Sequence, residues 1–221
     1  MKFYNKILNS IILPLSEFVF NIPLTKTRNI LEKTTQLSRD SIEKIQQEKL
    51  QNLLAFSVEN STYYKNLEIT LDQKKPLENL KKFPILTKEI LKKQTPAILT
   101  QPKEKLIKNG SSGSTGEQTI VYWSKKEQTI NRATQMLWWK WANYTIGDLL
   151  IQTGITPNRI GLKKYKDFFF RTKYIQAFSH DSKEIALFLK SLNPKKEYTL
   201  AGYASSLFVF SKIAKENNID V

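Results

Sequence analysis

The sequence predicts an α/β fold, with a helical N-terminal region followed by a layered, mostly parallel sheet with flanking helices. Three observations predict it. Up to about residue 100, apolar residues recur at helical spacing. Beyond residue 101, short runs rich in β-branched and aromatic residues alternate with amphipathic stretches that open on capping patterns. Near the start of this second part stands Gly110-Ser111-Ser112-Gly113-Ser114-Thr115-Gly116, which holds three of the seven glycines of the chain. On this reading residues 1–100 are a helical region packing on the sheet and residues 101–221 are the α/β portion, both parts of one domain.

The elements follow in order. Tyr4, Ile7, Leu8, Ile11, Ile12, Leu15, Phe18 and Val19 share a helical face over residues 2–20, and Pro14 should end or kink that helix. Lys2 and Lys6 precede this apolar run as in a signal peptide, but polar residues interrupt it and no small-residue cleavage site follows. It is also too short and too polar to cross a bilayer. An amphipathic helix packed on the domain is the first expectation, and a helix lying on a membrane surface the second.

A helix is predicted over 40–58, with Asp40 as N-cap and Glu43 completing a capping box. Its stripe is Ile42, Ile45, Leu50, Leu53, Leu54 and Phe56. Tyr63-Tyr64 and the proline-stiffened run Phe83-Pro84-Ile85-Leu86 follow. Thr87 should cap a short helix, Lys88 to Lys93, closed before Pro96.

In the second part, Thr119 to Trp123 reads as a strand. Ser124 with Glu127 opens a helix to about Asn143, whose apolar face carries Ile130, Ala133, Thr134, Leu137, Trp138 and Trp141. Trp123 and Trp139 flank it as candidate pocket residues, though core packing suits most of this cluster. Gly147-Asp148 turns the chain into Leu149-Leu150-Ile151, an apolar run of the kind buried in parallel sheets. Tyr174 to Phe178 is the next strand. Asp181 and Glu184 cap a helix with Ile185, Phe188, Leu189 and Leu192 inward, and Tyr198 to Ala201 is a last strand before a helix over 205–217.

The loop at 110–116 carries the chemistry. Glycines let backbone N–H groups turn inward, and four hydroxyls stand among them, so the loop can surround an anion such as the phosphate of a nucleotide. A Gly/Ser linker has the same composition. The α/β context favours the phosphate reading and places the loop at a strand end, where such sheets bind ligands. It lacks the Gly-Lys-Ser/Thr ending of the P-loop and the glycine spacing of the dinucleotide fingerprint.

Composition narrows the rest. The chain has 221 residues, no cysteine and a single His180. Disulfides, thiolate metal sites, a cysteine nucleophile and a multi-histidine metal site are excluded, and a Ser-His-Asp triad is disfavoured. His180, beside the predicted cap at Asp181, reads as structural. The net charge of +15 suits nucleotides, nucleic acid or anionic lipid. The lysines are spread along the chain, which disfavours nucleic acid, although residues 163–173 interleave basic and aromatic residues as a stacking face would. No carboxylate pair stands out as an acid–base couple, so catalytic residues are not assigned.

Ser111 to Gly116 resembles the phosphate-binding signature of adenylate-forming enzymes, the acyl-CoA synthetase superfamily. Tyr63-Tyr64, Phe83-Pro84-Ile85-Leu86-Thr87-Lys88, the loop, Gly147-Asp148 and Gly202-Tyr203-Ala204-Ser205-Ser206 follow in an order similar to the phenylacetate–CoA ligase branch and its relatives linked to capsular polysaccharide biosynthesis. The resemblance covers roughly residues 25 to 221. It implies an ATP-dependent ligase that joins a carboxylate to AMP and passes the acyl group to a thiol, often coenzyme A, or to an amine. ATP and Mg²⁺ are the implied cofactors and a carboxylic acid the implied substrate. Ser111, Ser112, Gly113, Ser114, Thr115 and Gly116 would hold the β- and γ-phosphates, and Tyr203 and Ser205 would either line the acyl pocket or pack at a helix start.

Three departures accompany the resemblance. Glu117-Gln118-Thr119 stand where the family has Pro and Lys after the loop, leaving Lys125 or Lys126 to supply the missing charge. Ala204 stands where the branch usually has Pro. Family members run to roughly twice this length. The expectation is therefore an N-terminal portion of a longer ligase, truncated or split with a second chain carrying the rest, inactive alone and cytoplasmic, with residues 1–20 as a peripheral membrane contact. The competing readings are a non-catalytic nucleotide-binding module and a basic membrane- or nucleic-acid-associated protein.

Overall fold

The computed structural model describes residues 2–110, 118–154, 162–176 and 181–220. The helices α1 (Lys2–Ile7) and α2 (Leu13–Phe20) are joined by a π-helical turn, Leu8–Ile12, and followed by α3 (Leu24–Thr34), α4 (Arg39–Asn60), α5 (Thr62–Lys65), α6 (Pro76–Leu80) and α7 (Lys88–Ile98). A 3₁₀ turn at Lys103–Lys105 leads into β1 (Ile107–Gly110), β2 (Ile120–Trp123) and α8 (Lys125–Trp141). Then come β3 (Leu150–Gly154), α9 (Leu162–Phe169), β4 (Thr172–Gln176), α10 (Ser182–Lys190), β5 (Thr199–Ala201) and α11 (Ala204–Glu216). The fold class is α/β, helical first and then a parallel sheet with flanking helices. The chain parts into two compact units, residues 20–137 and residues 1–19 with 138–221.

In the unit of residues 20–137, α4 is capped two residues earlier than its spacing suggests. Ser38 is the N-cap, its hydroxyl accepting from Ser41 N–H at 3.3 Å, while Asp40 lies inside the first turn. Of the predicted α4 stripe only Leu54 is fully buried, and Leu53 and Phe56 are exposed. Asn79 anchors the region that follows, with no exposed surface. Its amide donates to Asp72 O at 2.6 Å and Gln51 Oε1 at 3.1 Å, and its Oδ1 accepts from Asp72 N–H at 2.9 Å.

Thr87 caps α7, its Oγ1 accepting from Ile90 N–H at 3.3 Å, but the helix runs through Pro96 to Ile98 instead of stopping before it. The hydrogen bond that Pro96 cannot make falls near the helix end, where backbone bonds are already being lost. The neighbouring Thr95 hydroxyl donates back to Leu91 O.

β1 was not legible as a strand. It pairs antiparallel with β2, Gly110 opposite Ile120 and Ile107 opposite Trp123. The loop 111–117 therefore connects two antiparallel strands of a two-stranded sheet, not the end of a parallel strand to its helix. The capping box at the start of α8 forms in both directions: Ser124 N–H donates to Glu127 Oε2 at 2.6 Å and Glu127 N–H to Ser124 Oγ at 3.2 Å.

The other unit holds the parallel sheet, in the order β4-β3-β5. Leu150 pairs with Thr172 on one side and with Thr199 on the other. β4 starts two residues before the predicted Tyr174, in register with β3. Ile151 and Ile175 point to one face and pack with Ile185 and Leu189 of α10 and Phe210 and Ile213 of α11. Each such side chain taken fully out of water contributes about 1.5–3 kcal/mol. Asp181 caps α10, accepting from Lys183 N–H at 2.9 Å and Glu184 N–H at 3.2 Å.

Two glycines fix this unit for steric reasons. Gly147 has φ +100°, and a Cβ there would meet Asn5 Oδ1 at 2.6 Å. The turn it forms receives the N-terminal helix: Asn5 Nδ2 donates to Asp148 Oδ1 at 2.7 Å and Asn9 Nδ2 to Ile146 O at 2.9 Å. Pro14 does not end this helix. The π turn before it, closed by Leu13 N–H donating to Leu8 O, absorbs the proline by widening the helix. A Cβ on Gly202 would lie 2.3 Å from Thr153 Oγ1, so β5 can reach α11 there only with glycine.

Candidate functional site

A cavity of about 590 Å³ opens in the unit of residues 20–137, a size within the range of small-molecule sites. One wall is a continuous face of α7. Lys88, Leu91, Lys92, Thr95, Pro96 and Leu99 recur at the i, i+3, i+4 interval that brings side chains to one side of a helix. Gln101, Pro102 and Lys103 line it below the helix end. The facing wall is Gln118, Thr119, Ile120 and Tyr122, the residues that follow the glycine- and hydroxyl-rich loop.

Strand alternation decides which aromatic faces the cavity. Ile120 and Tyr122 lie on one side of β2, so Trp123 is turned away from it. Trp139 packs edge-on against Tyr144, ring centroids 5.4 Å apart, in the other unit. Neither tryptophan lines the cavity, and Tyr122 takes the place expected of Trp123. Lys103 Nζ sits 5.5 Å from the Tyr122 ring centroid, a cation–π contact that holds the ammonium at the rim.

Among the described residues the lining carries three ammonium groups, Lys88, Lys92 and Lys103, and no carboxylate. Lys125 and Lys126 stand exposed in the first turn of α8, off the lining. Glu89 is also off the lining. Its carboxyl is held below the usual carboxylate range by a hydrogen bond from its own backbone N–H and one from the Thr87 side chain, with Lys88 and Lys93 adding to the effect.

The segments that position α7 are the ones singled out by sequence. Tyr64 of α5 packs on Phe83, ring centroids 5.4 Å apart, with Tyr63 edge-on to it at 5.1 Å. Burial, and to a lesser extent Tyr63, raises the Tyr64 phenol above its ordinary value. Ser61, almost fully buried, donates to Ala97 O at 3.0 Å and ties the start of α5 to the end of α7. The Tyr-Tyr element thus braces the element Phe83 to Lys88, which begins the cavity wall.

Ser111, Ser112, Gly113, Ser114, Thr115 and Gly116, with Glu117, lie outside the described residues, as does His180. Their flanks are described, Gly110 at the end of β1 and Gln118 on the cavity wall. Tyr203 and Ser205 belong to the other unit, at the start of α11. Tyr203 is its N-cap and about half exposed, its N–H donating to Thr153 Oγ1 at 3.2 Å, and Ser205 is exposed. Among the described residues no group of three or more His, Cys, Asp or Glu could hold a metal ion.

Lys92 and Lys103 were missed in the sequence. A signal for Lys92 existed, since it lies four residues after Lys88 on a helix whose cap, Thr87, was legible. Lys103 had none, because it follows the helix in irregular chain and reaches the cavity through tertiary packing.

No protein-family model matches the chain. Protein CapK of Staphylococcus aureus is 23% identical over 211 residues, covering 88% of this chain and 45% of CapK. The phenylacetate–coenzyme A ligase of Thermus thermophilus is 31% identical over 100 residues, covering 42% of this chain and 22% of that enzyme. The chain spans less than half the length of either relative. By these likenesses the chain is related to the phenylacetate–CoA ligase- and CapK-like ligases and corresponds to their N-terminal portion.

Proposed function

We propose that this chain carries the nucleotide-phosphate-binding portion of a carboxylate-activating, AMP-forming ligase. The observation that carries the reading is the convergence on one cavity of α7, opened by Thr87-Lys88, and of Gln118-Thr119, which leave the glycine-rich loop. A triphosphate brings several negative charges, and three ammonium groups with amide and hydroxyl donors form a set that fits it. Ser111, Ser112, Ser114 and Thr115, with the backbone of Gly113 and Gly116, would grip the β- and γ-phosphates from the loop. Lys88, Lys92 and Lys103 would neutralise them from the facing wall.

In the reaction implied, a carboxylate oxygen attacks the α-phosphorus of ATP and the bond to the bridging oxygen breaks, releasing pyrophosphate. The activated acyl group then passes to a thiol such as coenzyme A, or to an amine, releasing AMP. Charge grows on the departing pyrophosphate, so cations aimed at it lower the barrier. Mg²⁺ would supply further neutralisation while held by the phosphates, since no carboxylate cluster for it stands among the described residues. The attacking group is already an anion, and this half-reaction requires no catalytic base from the chain.

A second reading, a nucleotide-binding module without turnover, rests on the same cavity. The expected behaviour of the 221 residues alone is binding of Mg·ATP without pyrophosphate release. Calorimetry with Mg·ATP tests the binding, with Gly113 and Gly116 replaced by bulky residues as the control. Pyrophosphate release with any of a panel of carboxylic acids would contradict the inactivity expected of the 221 residues alone and exclude the module without turnover. Binding that is absent, or unaffected by the loop replacements, contradicts both readings.

A further inference from the structure

The N-terminal helix buries Leu8 and Leu13 and leaves a second apolar face outward. Three of its polar side chains turn inward: Asn5 and Asn9 donate to the turn at 146–148, and the Tyr4 hydroxyl donates to Phe169 O at 2.7 Å. Its outward side is apolar, with Phe3 77%, Leu15 61% and Phe18 85% exposed and Ile11 and Val19 similarly bare. A helix that packs on a soluble domain ordinarily turns a polar face outward. The π turn at Leu8–Ile12 bears on this stripe. Four-residue steps drift by about 40° per step around an α-helix, and a wider turn takes part of that drift back, keeping residues 3, 11 and 15 nearly in line.

A second helix of the same unit lies beside the N-terminal helix. α9 is tied to it by the Tyr4–Phe169 hydrogen bond, and the Arg171 guanidinium lies 3.8 Å from the centre of the Tyr4 ring. α9 exposes Tyr165, Phe168 and Lys164. Residues 163–173 contain Lys163, Lys164, Lys166, Arg171 and Lys173 against Asp167, a net charge of five minus one, or +4.

We propose that the outward faces of the N-terminal helix and of α9 form a docking surface for an anionic lipid bilayer, with the helix lying along the interface. Acyl chains cover the aliphatic and aromatic stripe, and headgroup phosphates meet the lysines of α9. Nucleic acid would satisfy the cations and leave the stripe wet. A second copy would bring a charge of +15 against +15. Among the described residues no single helix is long and apolar enough to cross a membrane; Phe3–Phe20 and Leu24–Thr34 reach that length and hydropathy only when taken together.

The test is sedimentation of the 221-residue chain with vesicles of phosphatidylcholine alone and with roughly 30% phosphatidylserine, a composition rich in the anionic lipid that attracts basic segments. Binding to the anionic vesicles is expected, weakening as salt shortens the Debye length. Leu15→Ser with Phe18→Ser should weaken it about tenfold or more through lost apolar burial, and Lys164→Glu by several-fold. Both variants replace exposed side chains, and circular dichroism should return the parent spectrum. Equal binding by parent and stripe variant, equal binding to neutral vesicles, or none to anionic vesicles at low salt overturns the proposal. So does a stripe variant that changes only the oligomeric state in ultracentrifugation, which would make a second copy the occupant.

Discussion

Replacing Gly202 with alanine tests the account of how β5 enters α11. The added Cβ would lie 2.3 Å from Thr153 Oγ1, 2.6 Å from its Cγ2 and 3.0 Å from its Cβ. Thr153 is buried on the central strand and β-branched, so it has no rotamer that clears all three contacts. The chain must then back away from β3. Such overpacking costs about 1–3 kcal/mol. The movement also breaks the hydrogen bond from Tyr203 N–H to Thr153 Oγ1, 3.2 Å long, which adds about 0.5–1.5 kcal/mol. The expected loss is about 2–4 kcal/mol, a large share of a stability that for domains is about 5–15 kcal/mol. Urea denaturation followed by circular dichroism should show a midpoint lowered by roughly 1 M or more. Thr153→Ala removes both γ atoms, so Gly202→Ala in that background should cost under about 1 kcal/mol, a coupling that a double-mutant cycle reads directly. A Gly202→Ala protein within about 0.5 kcal/mol of the parent, or strictly additive substitutions, would refute the close-approach argument.

Two further outcomes follow from buried polar groups. Asn79→Ala leaves Asp72 N–H unpaired beneath a residue with no exposed surface, while Asp72 O keeps the Lys75 N–H, and should destabilise by about 1–3 kcal/mol in the same assay. The Tyr144 hydroxyl is pushed up to about 12, chiefly by burial with Asp148 and Tyr174 adding, against an opposing hydrogen bond with the Gly147 backbone. A phenol that keeps its proton longer folded than unfolded contributes fully below the unfolded value of about 10 and loses that contribution as pH climbs to about 12. Tyr144→Phe should therefore show a shallower loss of stability than the parent between those values. Denaturation midpoints that fall in parallel would contradict the assignment.

The sequence was most readable where side chain and backbone act locally. The Ser124–Glu127 box, the Asp181 cap and the Thr87 cap each require only three or four consecutive residues, and all three form. Leu150 and Ile151 announced a central parallel strand because both faces of it are covered. Helix ends near proline were less legible. Pro14 and Pro96 both sit inside helices, since a π turn and a nearby helix end reduce what proline costs. α3 passed unread because its eleven residues bury no side chain fully and so lack a strong stripe. α9 reads in the sequence as a basic aromatic run and is a helix; Leu162, Tyr165, Phe168 and Phe169 recur at helical spacing, a rhythm that the interleaved lysines disguise over so short a stretch. At the site, Lys88 belongs to an element legible in the sequence, but its meeting with Gln118 and Tyr122 depends on strand pairing and packing that no local pattern encodes.

The central claim is that α7 and the loop leading into β2 enclose a polyphosphate. The most direct measurement is calorimetric titration of Mg·ATP, with Mg·pyrophosphate and Mg·AMP beside it, into the parent chain and into Lys88→Glu with Lys92→Glu. The account predicts binding of ATP and pyrophosphate, much weaker binding of AMP, and a loss of about tenfold or more in affinity for each reversed lysine, as expected for charge-assisted contacts of about 1.5–3 kcal/mol. Equal affinities in parent and variant, or AMP binding as tightly as ATP, would contradict it.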